Sequence, residues 1–256
     1  MNLRDEGNRE RSLLLHILLR SLLSVHLPLV LLGCAVANQQ PRPASPIASP
    51  KPSVSTEIIE RSSDRIDRPT SEPYSGSLSI FEDPKREDRL QVNRVMDVLG
   101  ITTGSSVADV GAASGWFTVR AAKRVGADGL VYAVEINSEY LKHIDKRSKE
   151  ENLSNIRTIL GKEDDPLLPV KSVDAVLLLK TYHEIGEPVL WLRRLRPAMR
   201  VGARLGIIDR TGKGDNHGID RKTVVKEAQR AGFVLVEQHD FVRPDEVDYF
   251  LVFRVR

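Results

Sequence analysis

Hydrophobic and polar positions divide the chain into three stretches. Residues 21–33 (SLLSVHLPLVLLG) are a short apolar run. Residues 38–76 hold seven prolines among serines and charged side chains, with few large apolar groups. From about residue 80, apolar segments alternate with amphipathic ones. In 84–99 the apolar groups fall at 92, 95, 96 and 99, which is helical spacing. Asp83 suits the cap of that helix, Pro84 its first position and Gly100 its end. Residues 107–110 then predict a strand, 115–125 a helix stopped by Gly126, 130–136 a strand, 138–150 a helix and 156–160 a third strand. Residues 173–179 (VDAVLLL) have the unbroken apolar character of a strand buried on both faces of a parallel sheet. A helix over 187–195, a strand over 204–208 and a helix over 221–231 follow. The last two strand-like runs, 233–241 and 248–255, are separated by six residues containing Pro244 and Asp245, which suits an antiparallel hairpin rather than a crossover. The pattern predicts one Rossmann-like α/β domain: a mostly parallel open sheet with a C-terminal antiparallel hairpin strand. Ligands of such sheets sit at the carboxyl ends of the strands.

Composition changes this picture mainly at the amino terminus. The chain has 256 residues, of which the last 175 or so suffice for one core. The net charge of +3 comes from 38 basic residues interleaved with 35 acids, a balance that points to no nucleic-acid partner. The single cysteine, Cys34, excludes an intrachain disulfide. Arg4, Arg9, Arg11 and Arg20 precede the apolar run, which is short against the ~20 residues of a membrane span. A charged head, a short apolar core and small residues after it make an export signal. Leu31-Leu32-Gly33-Cys34 resembles the bacterial lipobox, in which the cysteine is lipidated, and Ala35-Val36-Ala37 offers a competing cleavage site. The expected organisation is a signal or lipoprotein segment over 1–37, a disordered tether over 38–76 and the folded domain over 77–256. The expected location is extracytoplasmic and membrane-anchored, with a secreted soluble form as the competitor.

The chemistry begins at VADVGAASGWFT, residues 107–118. Gly111 and Gly115 let backbone approach a ligand closely. The order Gly111-Ala112-Ala113-Ser114-Gly115 fails the dinucleotide fingerprint, and Trp116 stands where a phosphate loop needs lysine. Asp109 lies just before the turn, and Glu135 closes the second strand 26 residues after it. An acid in that second position accepts ribose hydroxyls. The unit therefore suits a ribose without a pyrophosphate, a combination met by S-adenosylmethionine.

On these residues the domain resembles the class I S-adenosylmethionine-dependent methyltransferases. VADVGAASGWFT is similar to the family's first motif and VYAVEI to its acidic second motif. DDPLLPVKSVDAVLLLKTYHEI, AGFVLVEQHDF and DYFLVF resemble a bacterial subgroup, and the likeness runs from about residue 80 to 253. The resemblance implies that the backbone at Gly111, Ala112, Ala113 and Ser114 faces the donor, with Gly115 closing the turn. It implies that Glu135 binds the ribose and Asp164, with Asp165 next, the adenine amino group. Asp109 either touches the donor or organises the loop. LLLKTYHEI lies where the family places the reacting methyl group.

Methyl transfer needs a positioned acceptor and sometimes a base. His183 fits the base and Tyr182 a positioning group, unless both only shape the loop. A zinc reading fails, because Glu187 stands where a second histidine is needed. His217 can line the acceptor side. Phe117 shares a helical face with 121 and 125 and is read as core, while Trp116 either packs or closes over the donor. The arginines at 193, 194, 196 and 200 are read as a solvated face, or one turned toward an anionic membrane. The expected function is transfer of a methyl group from S-adenosylmethionine to a small or lipid-like acceptor. The alternative, toward which Lys180 and Ala113 lean, is an exported binding module that keeps the fold without catalysis.

Overall fold

The computed structural model describes residues 65–256 apart from 67, 72–73, 213–217 and 243–247. Cys34, His217, the signal segment and most of the tether lie outside the described residues. Seven strands form one sheet: β1 (Ser106–Val110), β2 (Leu130–Glu135), β3 (Ile156–Leu160), β4 (Val173–Leu179), β5 (Met199–Arg210), β6 (Phe233–His239) and β7 (Asp248–Val255). Their order is β3-β2-β1-β4-β5-β7-β6. β1 to β5 pair in parallel, and β7 inserts antiparallel between β5 and β6. The strand order reverses between β1 and β4, so the carboxyl ends of those two strands open the crevice where ligands bind in such sheets.

Among the described residues six α-helices cover the sheet: α1 (Arg86–Leu90), α2 (Val92–Val98), α3 (Trp116–Val125), α4 (Ser138–Glu150), α5 (Pro188–Leu195) and α6 (Arg221–Arg230). Every residue of β1 is buried, and in β4 all but Asp174, as their apolar runs require. On one face Trp191, Leu192 and Leu195 of α5 pack with Val224 and Ala228 of α6 against Val176, Leu178, Leu205 and Ile207. On the other, Val95 and Met96 of α2 and Phe117, Ala121 and Val125 of α3 pack against Val107, Ala175 and Leu177. Each fully buried Leu, Val or Phe contributes about 1.5–3 kcal/mol. Asn137 and Asp220 cap α4 and α6 by accepting the N–H of Glu139 and Lys222.

Three sequence expectations are corrected. The helix over 84–99 is two helices, because Gln91 adopts φ 47° between them and donates through Nε2 to the Phe241 carbonyl at 2.9 Å. The turn at Gln91 lets Leu90 bury together with Val92, Val95 and Met96. β5 begins at Met199 rather than 204, since a register shift between Val173 and Ala175 accommodates extra residues and expels Val201. The domain boundary also moves, because residues counted with the tether pack on the domain. Arg68 Nη2 meets both carboxylate oxygens of Glu227 at 2.6 Å, and its own N–H donates to the Gly186 carbonyl at 2.9 Å. Further along, the Tyr140 hydroxyl donates to the Gly76 carbonyl at 3.2 Å, and Arg147 Nη1 meets Glu82 at 2.6 Å. The amino-terminal segment thus runs along the carboxyl edge of the sheet, from the loop after β4 to the helix after β2.

Candidate functional site at the carboxyl edge

The turn after β1 is built by backbone strain and the Val134 carbonyl. Gly111 and Ala112 both donate to the Val134 carbonyl, at 2.9 and 3.1 Å. Gly111 has φ 72°, and a Cβ there would lie 2.3 Å from Thr181 Oγ1. Ala113 follows with φ 47°, a left-handed conformation costly for a residue with a Cβ. That conformation aims the Ala113 N–H at Glu135, whose Oε2 accepts it at 2.9 Å. Glu135 Oε1 takes the N–H groups of Ile136 at 2.8 Å and Asn137 at 3.2 Å. Three of the roughly four acceptor positions of this carboxylate are therefore used within the chain. One remains for a ribose hydroxyl, and a second hydroxyl must share or replace the Ala113 N–H. The residues fit a ribose on those terms.

Asp109 ties the loop to the helix that follows it. It is only 2% exposed, and its Oδ2 accepts the Thr118 hydroxyl at 2.6 Å, tying β1 to the first turn of α3. Burial pushes its carboxyl up to about 6, against the Thr118 hydrogen bond and the Arg86 charge, which both favour ionisation. Trp116 packs rather than stands open: Arg120 stacks 3.9 Å and Arg86 4.6 Å from its ring centre. Phe117 is core, as its spacing predicts. Asp164 is turned to α5, where it pairs with Arg194 Nη1, and that guanidinium also donates to the Asp164 carbonyl at 3.1 Å.

The turn after β4 brings the remaining chemistry together. Tyr182 through Glu184 form one short 3-10 turn. Tyr182 is 0% exposed and its hydroxyl donates to Glu227 Oε2 at 2.8 Å. Burial, and then the neighbouring Glu227 carboxylate, hold this phenol well above its usual range. The Tyr182 oxygen is committed to Glu227 inside the core, where it holds the turn. Arg68 completes that support by donating through Nη1 to the Tyr182 and Ile185 carbonyls at 3.0 and 3.2 Å.

His183 is placed differently. Its Nδ1 lies 2.8 Å from Asp209 Oδ1, and its N–H donates to Asp209 Oδ2 at 3.0 Å. Asp209, near the end of β5, is 0% exposed. The other ring nitrogen, Nε2, is 3.1 Å from Glu184 Oε1. Burial alone would depress this imidazole, but the Asp209 hydrogen bond and charge outweigh it, so His183 sits above its ordinary value. Lys180, in the left-handed region at φ 60°, is ion-paired with Asp248. Asp209, Arg68, Glu227 and Asp248 were not singled out from the sequence, since each acquires a role only through a partner distant in the chain. Among the described residues no group of three or more His, Cys, Asp and Glu side chains is arranged to hold a metal ion.

Strand order, glycine turn and strand-end acid together define a class I methyltransferase fold. Residues 107–202 match the family model described as a methyltransferase domain. The chain is also 30% identical over 112 residues to aklanonic acid methyltransferase DauC of Streptomyces sp. (strain C5). That match covers 44% of this chain and 51% of DauC, so the chain spans about half the length of the curated relative it matches. Among solved structures, a SAM dependent methyltransferase from Aquifex aeolicus aligns with a TM-score of 0.64 at 23% identity, over 70% of this chain and 97% of its own. The 1,6-didemethyltoxoflavin-N1-methyltransferase of Burkholderia thailandensis aligns with a TM-score of 0.54 at 15% identity, over 82% and 94%.

Proposed function

We propose that the domain transfers a methyl group from S-adenosylmethionine to a small acceptor whose attacking atom carries a proton. The observation that carries this reading is the pairing of the strained Gly111–Gly115 turn with Glu135, in a domain whose sequence matches a methyltransferase model. Backbone at Gly111, Ala112, Ala113 and Gly115 would line the donor, and Glu135 would accept from its ribose. Asp164 would reach the adenine by sharing its exposed pair with Arg194, a contact of the kind worth about 0–1 kcal/mol. When bound, the donor supplies the electrophilic methyl group.

The chain's own residues prepare the acceptor. With Nδ1–H donating to Asp209, the tautomer that leaves Nε2 as base is favoured. An acceptor takes the place of the Glu184 carboxylate beside Nε2 and gives its proton there. Tyr182, Glu227 and Arg68 hold the turn that carries His183. The two residues that lean toward a non-catalytic module fit an enzyme equally well. Asp248 matches the Lys180 charge, and Ala113 already adopts the conformation that turns its N–H to Glu135.

The amino-terminal reading rests on sequence alone: export, lipidation at Cys34 and an extracytoplasmic location. Among the described residues no helix is long and apolar enough to cross a membrane. Fatty-acid labelling of the wild-type chain against Cys34→Ser tests the anchor. Calorimetry of the full chain with S-adenosylmethionine and S-adenosylhomocysteine tests the donor site. Binding of both is expected, and its loss in Glu135→Ala; absence of binding by either refutes the enzyme reading.

A further inference from the structure

We propose that the amino-terminal edge of the sheet, opposite the candidate site, is a docking surface for an anionic lipid bilayer. Topology gathers cations there. Lys171 precedes β4 and Arg200 opens β5, while Arg256 follows β7, which runs antiparallel to β5. Arg230 closes α6 just before β6, whose Phe233 pairs with Val255 at the far end of β7.

Hydrogen bonds to backbone join these pieces into one patch. Arg193 Nη2 donates to the Arg230 carbonyl at 3.2 Å, and Arg196 Nη1 to the Ala231 carbonyl at 3.3 Å. The Arg256 N–H donates to the Gly232 carbonyl at 3.0 Å. On the other side the Lys171 N–H donates to the Pro197 carbonyl at 2.8 Å, and Arg200 Nε to the Lys171 carbonyl at 3.1 Å. Asp174 offsets Arg200, but Arg196 meets a carbonyl rather than a carboxylate.

Shape and polarity support a bilayer as the occupant. Lys226, Gln229, Arg230 and Arg256 line an open concavity of about 580 Å³, a cationic hollow suited to phosphate headgroups. At the same edge Val201, expelled by the irregularity in β5, is 106% exposed, and Val170 before β4 is 70% exposed. Protruding apolar side chains flanked by cations suit the boundary between headgroups and acyl chains. Clusters of four to eight Lys and Arg are attracted to anionic leaflets, each cation contributing about fivefold in partition. A nucleic acid fits less well, because Trp191, Phe233, Tyr249, Phe250 and Phe253, the aromatics of the elements that build this edge, are buried and offer no stacking platform. Docking by this edge points the His183 turn away from the lipid, so the acceptor would be a soluble molecule rather than a lipid.

Flotation of the full chain with vesicles tests this without any assay of activity. An uncleaved apolar run over 21–33 would engage any bilayer, so the readout is the ratio of binding to phosphatidylcholine vesicles carrying roughly a third phosphatidylglycerol over binding to phosphatidylcholine alone. A ratio well above one, falling with added salt, is expected. Lys226→Glu/Arg230→Glu/Arg256→Glu should lower it by at least a hundredfold, since loss of the three cations alone is worth about fivefold each. Val201→Asp should lower partition several-fold, and Lys142→Glu/Lys146→Glu on α4 should leave the ratio unchanged. The milder Lys226→Gln/Arg230→Gln/Arg256→Gln, checked by circular dichroism, keeps the test valid if charge reversal unfolds the chain. A wild-type ratio near one, an unchanged ratio in the triple variants, or displacement from vesicles by an equal charge of duplex RNA overturns the proposal.

Discussion

Replacing Gly111 by alanine puts a methyl group where the structure has no room and the backbone no tolerance. The added Cβ would lie 2.3 Å from Thr181 Oγ1, 2.5 Å from Cγ2 and 3.0 Å from Cβ, at a residue with φ 72°. The left-handed backbone costs an L-residue about 1–2 kcal/mol. Forcing a methyl into a packed contact costs about 1–3 kcal/mol more. Gly111→Ala should therefore destabilise by about 2–5 kcal/mol, a large part of the ~5–15 kcal/mol that holds a typical domain folded. The two components separate in a double-mutant cycle. Thr181→Ala deletes the two nearest atoms and leaves only the contact with Thr181 Cβ. In that background Gly111→Ala should cost little beyond the backbone component, giving a coupling of about 1–3 kcal/mol. Urea unfolding of the four proteins at constant m measures it. Additive effects, within ~0.5 kcal/mol, would refute the claim that Thr181 closes the space above Gly111.

Ala113→Gly should relieve the strain at φ 47° by about 1–2 kcal/mol and return part of it as chain entropy, so urea unfolding should show unchanged or slightly higher stability; a loss above ~1 kcal/mol would mean the methyl packs. Asp109 has a carboxyl raised to about 6, so the native state holds its proton more tightly than the unfolded chain, and this group's contribution to stability falls as pH rises from about 4 to 6. The loss is on the order of 3 kcal/mol, and Asp109→Asn should flatten the pH dependence over that window, measured by urea unfolding at both ends. His183 is raised by Asp209, so its contribution is complete below its unfolded value near 6.5 and is lost as pH rises through the folded value. Asp209→Asn should bring the imidazole titration, followed by NMR, to lower pH; an unmoved titration would remove Asp209 as its partner.

Those predictions draw unequally on what the sequence discloses. The sheet is legible because its signals are local: VDAVLLL needs no knowledge of its neighbours to read as a buried strand. Gln91 is not, since the pattern at 92, 95, 96 and 99 fits one helix and only the packing of Leu90 and the Phe241 carbonyl selects the break. Glu135 is legible because a strand-end acid follows a glycine turn at a fixed distance. Asp209 is silent in sequence because its meaning depends on His183, 26 positions away, and Arg68 depends on Glu227, 159 positions away.

This difference bears on how the site works. In the proposed reading the parts legible in sequence, Gly111 to Gly115 and Glu135, form the donor side, which one β-turn-α-strand unit builds by itself. The parts that the fold alone assembles would form the acceptor side, where the turn after β4, β5, α6 and the amino-terminal segment meet. The Ser71 N–H donates to Glu184 Oε2 at 3.0 Å while the same carboxylate sits beside His183 Nε2, so the amino-terminal segment would also set what the proposed base meets. Changes in residues 65–71 can therefore alter the acceptor without touching the donor. A variant such as Arg68→Ala should leave S-adenosylmethionine affinity by calorimetry within about twofold while shifting the His183 titration, because Arg68 touches the Tyr182–Ile185 turn and no part of the Gly111 loop. Equal loss of both would show that the two sides fold as one unit and would remove the separation.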